Sequence, residues 1–180
     1  PGVTFLKPEP WKMIHGMRES AMRHRRLRRI LENGRPAVTI CARDPNTGLI
    51  RKIKIDWLSE LDGVMLDAKT AIDADPELWR LSCAKHRYDV QGAFYEETAD
   101  LAGLSDYTMS FGVFEKSPPY IPSLCLLGPT SRLAGQMRVE REMRKIADCC
   151  ESGLFPGYGD DNAVEIEMPG WATSEVQKIT

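Results

Sequence analysis

Apolar positions recur at helical spacing through Trp11, Ile14, Met17, Met22, Leu27, Ile30 and Leu31, and Asn33-Gly34 supplies a stop. The pattern predicts one helix over 9–32. The period then changes to that of strands. Residues 37–42 and 49–57 predict two strands joined by the turn Asp44-Pro45-Asn46-Thr47-Gly48, and a third short strand, 63–69, follows the Glu60-Leu61-Asp62 bend. Asp75 before Pro76 combines an N-cap with proline at the first helical position, opening a helix expected to reach about residue 101 and to end near Gly103. Residues 108–115 and 120–127 alternate like antiparallel strands around Ser117-Pro118-Pro119. Thr130 caps a last helix running to about residue 151, and a Gly- and Pro-rich tail holds one more strand candidate, 163–168. This order predicts one α/β or α+β domain over 1–180, with a mixed, mostly antiparallel sheet flanked by helices.

Composition narrows the class. The 180 residues are 42% hydrophobic and 28% charged, enough for a buried core and against global disorder. No apolar run approaches the roughly 18–20 residues of a membrane span, and no secretory signal opens the chain. An integral membrane protein is disfavoured and export is unsupported. The chain opens at Pro1 rather than Met, which leaves room for an upstream segment. Its five cysteines are scattered with no CxxC pair, and with His15, His24 and His86 they show no zinc-site spacing. Adjacent Cys149 and Cys150 read as helix-packing residues of a protein in a reducing cytoplasm.

Net charge is −2 but unevenly spread. Residues 1–57 carry 13 Lys/Arg against 5 Asp/Glu, and residues 58–180 carry 11 against 21. A basic end beside an acidic remainder suits a polyanion-binding face, and it equally suits two halves that attract each other.

Side chains alternate faces along a strand. Over 49–57, Ile53, Ile55 and Trp57 therefore share one face, and Lys52, Lys54 and Asp56 the other. In the next strand Asp67 and Lys69 are neighbours on one face, about 6.6 Å apart along the chain, among apolar residues that predict burial. Buried charges are expensive unless paired or bound to a metal. Two carboxylates converging across adjacent strands, in the spacing D-x10-D-x-K, suit a hard divalent cation such as Mg²⁺. A lysine beside them can orient the attacking water and offset phosphate charge, the minimal equipment for metal-assisted phosphodiester hydrolysis. A structural ion pair is the alternative reading of the same pair.

Three segments then combine in order: Lys54-Ile55-Asp56-Trp57-Leu58, Leu66-Asp67-Ala68-Lys69-Thr70, and Tyr88-Asp89-Val90-Gln91-Gly92-Ala93-Phe94-Tyr95. Together they resemble the PD-(D/E)xK nucleases of the RecB-like group, most of all the RecE (exonuclease VIII) type found in phages and prophages. The similarity runs over roughly residues 31–172 and includes Ser117-Pro118-Pro119-Tyr120 and the closing Met168-Pro169-Gly170-Trp171-Ala172. The resemblance implies a restriction-endonuclease-like core. It implies metal-binding carboxylates at Asp56 and Asp67, a catalytic Lys69, a further ligand in the Ala68 carbonyl, and Gln91 and Tyr95 as the functional pair of the helix motif. Phe94 reads as core. Lys54 stands where the family usually has Arg, Pro36-Ala37-Val38 where relatives often place a glutamate, and the family's upstream Gly-x-x-x-His setting is not seen around His15 or His24.

The implied activity is that of a Mg²⁺- (or Mn²⁺-) dependent exodeoxyribonuclease in the cytoplasm. It would digest one strand of duplex DNA from an end, 5′ to 3′, in phage-type recombination. A toroidal homo-oligomer and a single-strand annealing partner are implied as well. The rival is a catalytically inactive nuclease-like module for DNA binding or assembly. Lys52, Lys54, Arg25, Arg26 and Arg29 are the expected DNA contacts. The six arginines between Arg18 and Arg29 equally suit a solvated or subunit-facing helix side.

Overall fold

The computed structural model describes residues 5–159 and 162–172. The chain divides into two compact units, 1–147 and 148–180. The first holds a five-stranded sheet in the order β1-β2-β3-β4-β5, built from Gly34–Arg43, Ile50–Ser59, Val64–Ala71, Thr108–Glu115 and Pro122–Leu126. Neighbouring strands pair antiparallel except β3 and β4, which are parallel along Val64–Ala71 and Thr108–Glu115. The one parallel pair needs a crossover, and the chain between those strands supplies it as helices α3 (Pro76–His86) and α4 (Tyr88–Leu101).

The expected N-terminal helix is two helices, α1 (Pro8–Arg23) and α2 (Arg25–Glu32). His24 breaks them: its backbone is extended and its Nδ1 accepts the N–H of Leu27, capping α2 from within a run that periodicity alone reads as continuous. The break turns Leu27 and Ile30 onto one face of the sheet, where they are buried with Val64, Leu66 and half-buried Trp57 and Phe114. The second expected helix is likewise two, because Arg87 adopts the left-handed conformation (φ 57°) between α3 and α4. Asp75 caps α3 as expected, accepting the Glu77 N–H at 2.7 Å.

The opposite face of the sheet carries the larger core: Ile53, Ile55, Met65, Met109, Phe111 and Val113 pack with Trp79 of α3 and Ala99 of α4. Helix α5 (Pro129–Ser152) lies against the outside of α4, where Ala93, Val139 and Met143 meet. Gly135 allows that approach, since a Cβ there would stand 2.2 Å from the Asp89 carbonyl oxygen.

Strand β2 departs from simple alternation. Ile53 and Ile55 share the larger core with Leu58, whereas Trp57 joins the other cluster and donates to the Ile30 carbonyl. The phase slips at Asp56, and Ala37, which faces it on β1, has φ 55°. Beyond that point β2 and β3 part. Only Trp57–Ser59 pair with Leu66–Val64, while β2 continues along β1 and β3 along β4.

In the second unit, α5 completes its last turn, Ser152 Oγ donating to the Asp148 carbonyl. Residues 163–168 form no strand and are exposed, so the strand expected there does not form. Gly170–Ala172 makes a 3-10 turn. Among the described residues no helix is long and apolar enough to cross a membrane.

The β1–β2 turn is anchored by a buried charge network. Arg51 points inward beside Ile53, reaching Asp44 at 2.5–2.8 Å and Glu97 of α4 at 2.7 Å, with its guanidinium over the Phe94 ring. Burial alone would raise the Asp44 pKa. The Thr47 N–H, the Arg51 guanidinium, the Thr47 hydroxyl and the Asn46 N–H outweigh it and hold the carboxyl below its ordinary 3.8. A depressed carboxyl pKa stabilises the fold above the ordinary value, and the contribution is lost as pH falls through the folded value. Replacing Arg51 by Met strands Asp44 in the interior. Urea unfolding of Arg51→Met at pH 7 is expected to show a loss of about 3 kcal/mol, with the gap from wild type narrowing below pH 4. A variant as stable as wild type at pH 7 would show the network to be dispensable.

Candidate active site

The parting of β2 and β3 leaves Asp67, Ala68 and Lys69 with a β4 partner on one side and no β2 ladder on the other. Asp56 fills the gap, its Oδ2 accepting the Ala68 N–H at 2.9 Å in place of a main-chain partner. Asp56 itself stays exposed at the mouth, and the phase slip in β2 is what turns it there. The two aspartates predicted to converge are thus on the two lips of one cleft.

Asp67 is only 6% exposed, on the larger-core face of β3. The Gln91 amide of α4 donates to its Oδ1 at 2.6 Å. The Lys69 ammonium lies 2.6 Å from its Oδ2 and donates to Gln91 Oε1 at 3.1 Å, closing a ring of three side chains. The two contacts of Lys69 differ in kind. Asp67 Oδ2 is sealed from water with no donor aligned on it, so Lys69 meets it as a charge, whereas the bond to Gln91 is directional. A hard cation is the species that a buried carboxylate oxygen of that kind suits. Among the described residues no three His, Cys, Asp or Glu side chains cluster as they would around a metal ion.

Helix α4 supplies the other wall. Because Arg87 ends α3 and restarts the helix, Tyr88, Gln91 and Tyr95 follow at successive turns along one side. Gln91 enters the ring. Tyr95 does not touch it; its hydroxyl donates to the Lys54 carbonyl of β2 at 3.2 Å, tying α4 to the far lip of the cleft. Phe94 packs in the core. Tyr88, which the motif resemblance gives no role, also meets Lys69: the ammonium sits 4.5 Å from its ring centre. Its place one helical turn before Gln91 was the available signal.

The basic residues divide. Lys52 and Lys54 are exposed on β2, alternating with the buried Ile53 and Ile55 in the stretch that leads to Asp56. Arg25, Arg26 and Arg29 are exposed on α2, beside Leu61 and Asp62 beyond the far end of β2, Arg29 pairing with Asp62 at 2.7 Å. From Val64, next to that patch, β3 runs about 16 Å before reaching Lys69. The structure does not bring the arginines to the cleft.

A mixed sheet with this cleft, flanked by helices, defines a PDDEXK-like nuclease fold. The chain belongs to the family described as PDDEXK-like domain of unknown function (DUF3799), whose sequence profile matches residues 3–166. No curated protein matches it. A similar solved structure is that of a "Putative exonuclease" from Eubacterium rectale, with a TM-score of 0.52 and 16% identity over 89% of this chain. The match covers 65% of that protein, so the chain spans less than two thirds of its length.

Proposed function

We propose that this domain is a divalent-metal-dependent DNA nuclease acting on phosphodiester bonds. The observation that carries the reading is the closed Asp67–Lys69–Gln91 ring beside Asp56, in the cleft of a PDDEXK-like fold. Asp67 and Asp56 would hold Mg²⁺ or Mn²⁺. In an extended strand the N–H and C=O of one residue point the same way, so Ala68, whose N–H faces Asp56, offers its carbonyl to the same cleft. The bound cation supplies Lewis acidity and charge neutralisation at the scissile phosphate. Lys69 stabilises the negative charge that develops on the phosphate oxygens, and Gln91 orients both Lys69 and Asp67. Tyr95 holds the position of α4 against β2.

Exonucleolytic attack on duplex ends, with 5′ to 3′ polarity, a ring-shaped homo-oligomer and a single-strand annealing partner in recombination, is the finer form of this proposal. It rests on the RecE-like arrangement of the motifs. A second reading, an inactive DNA-binding or assembly module, draws on two features: the ring satisfies its own charges, and no third acid joins it among the described residues. One assay separates them. Wild type should shorten end-labelled linear duplex with Mg²⁺, leave closed circles intact and do nothing in EDTA. Lys69→Ala should lower turnover by about 10²–10³ with DNA affinity unchanged. A wild-type protein inert on every DNA with either metal would leave the inactive reading in place.

Lys52 and Lys54, on the strand that leads to Asp56, are proposed as the DNA contacts nearest the cleft, with Arg25, Arg26 and Arg29 as a separate, distal contact. Reversing Lys52 and Lys54 to Glu should reduce the salt dependence of DNA binding by about one unit of slope for each phosphate no longer neutralised and slow cleavage with it. The same reversal at Arg25, Arg26 and Arg29 should reduce the slope but leave the rate on saturating DNA near wild type. An unchanged slope in either variant would remove that patch from the DNA surface.

A further inference from the structure

We propose that Tyr88 is a positioning residue for Lys69, holding its ammonium by the ring face. The inference rests on the nuclease reading above and adds a residue to it. The Lys69 ammonium is 4.5 Å from the Tyr88 ring centre, inside the roughly 6 Å range of a cation–π contact.

The ring is itself immobilised. It stacks on Phe111 at 5.5 Å and on Trp79 at 5.7 Å, both at interplanar angles near 25°, and His86 stacks on it at 5.6 Å. Phe111 and Trp79 are buried, and Phe111 is the β4 residue in register with Asp67. The aromatic stack therefore sets where Lys69 lies relative to Asp67. Arg87 puts Tyr88 at the first position of α4, one turn before Gln91, so the ring and the amide approach Lys69 from one helix.

The three partners of Lys69 have different consequences for its charge. Asp67 cancels it, and a cation on Asp67 would take that partner away. The Gln91 carbonyl and the Tyr88 ring attract the ammonium without a formal charge, so they keep it in place while leaving it available to a phosphate. A lysine in this position without the ring would be tethered by one hydrogen bond alone.

The test uses two readouts on the intact protein. In the metal-free protein, NMR of the Lys69 ε-methylene protons should show upfield ring-current shifts that persist in Tyr88→Phe and vanish in Tyr88→Leu. In Mg²⁺-dependent cleavage of linear duplex, Tyr88→Leu should lower kcat about tenfold with KM unchanged, and Tyr88→Phe should remain near wild type. Should the leucine variant fail to fold, phenylalanine carrying two or three ring fluorines at position 88 keeps the shape and weakens the face; kcat should then fall with each fluorine. Unshifted Lys69 protons in wild type, or a kcat indifferent to leucine or to fluorination, would overturn the proposal. A wild type that cleaves nothing would instead overturn the nuclease reading, with the NMR shift still deciding whether Tyr88 holds Lys69.

Discussion

The compensation of one buried carboxylate organises this site. Asp67 lies in the face of the sheet that carries the larger core, where an unpaired charge costs several kcal/mol. Lys69 answers it from two residues along the same strand, and Gln91 answers both from across the cleft. The geometry leaves the answer incomplete: one oxygen is hydrogen-bonded, and the other is held only by charge. A carboxylate in that condition depends on its neighbours, and in the proposed nuclease a dication would take the place of the lysine.

Two departures from regular secondary structure make the arrangement possible. The slip at Asp56 opposite Ala37 lets β2 leave β3, which opens the cleft and turns a carboxylate to its mouth. The left-handed Arg87 restarts the helix so that Tyr88, Gln91 and Tyr95 descend one side of α4. Each of these three has a different partner: the ammonium, the ring of charges, and the opposite strand. Helix α5 approaches α4 closely at Gly135 and packs Val139 and Met143 on Ala93.

Most of the architecture was legible because strand and helix periods are strong signals where side chains alternate between core and solvent. All five strands of the sheet lie where alternation put them, within a few residues. Asp67 and Lys69 share a face as two-residue spacing demands. What periodicity missed are the interruptions. His24 breaks a helix by using its ring as a cap, and Arg87 does so by a backbone conformation that its side chain does not advertise. The grouping of Trp57 with Ile53 and Ile55 failed for the same reason, since a slip of one residue reverses every face beyond it. The strand expected at 163–168 had alternation but no neighbour with which to pair. The buried Asp44–Arg51–Glu97 network is non-local and left no local pattern to read.

The central claim is that Asp56 and Asp67 hold one cation at the parting of β2 and β3. Anomalous diffraction from crystals soaked in Mn²⁺ tests it most directly. The account predicts one ion with an oxygen from each aspartate within about 2.0–2.5 Å, and Lys69 moved off Asp67 but still over Tyr88 and bonded to Gln91. An ion bound by neither aspartate, or no ion at a saturating concentration with Lys69 still on Asp67, would contradict it.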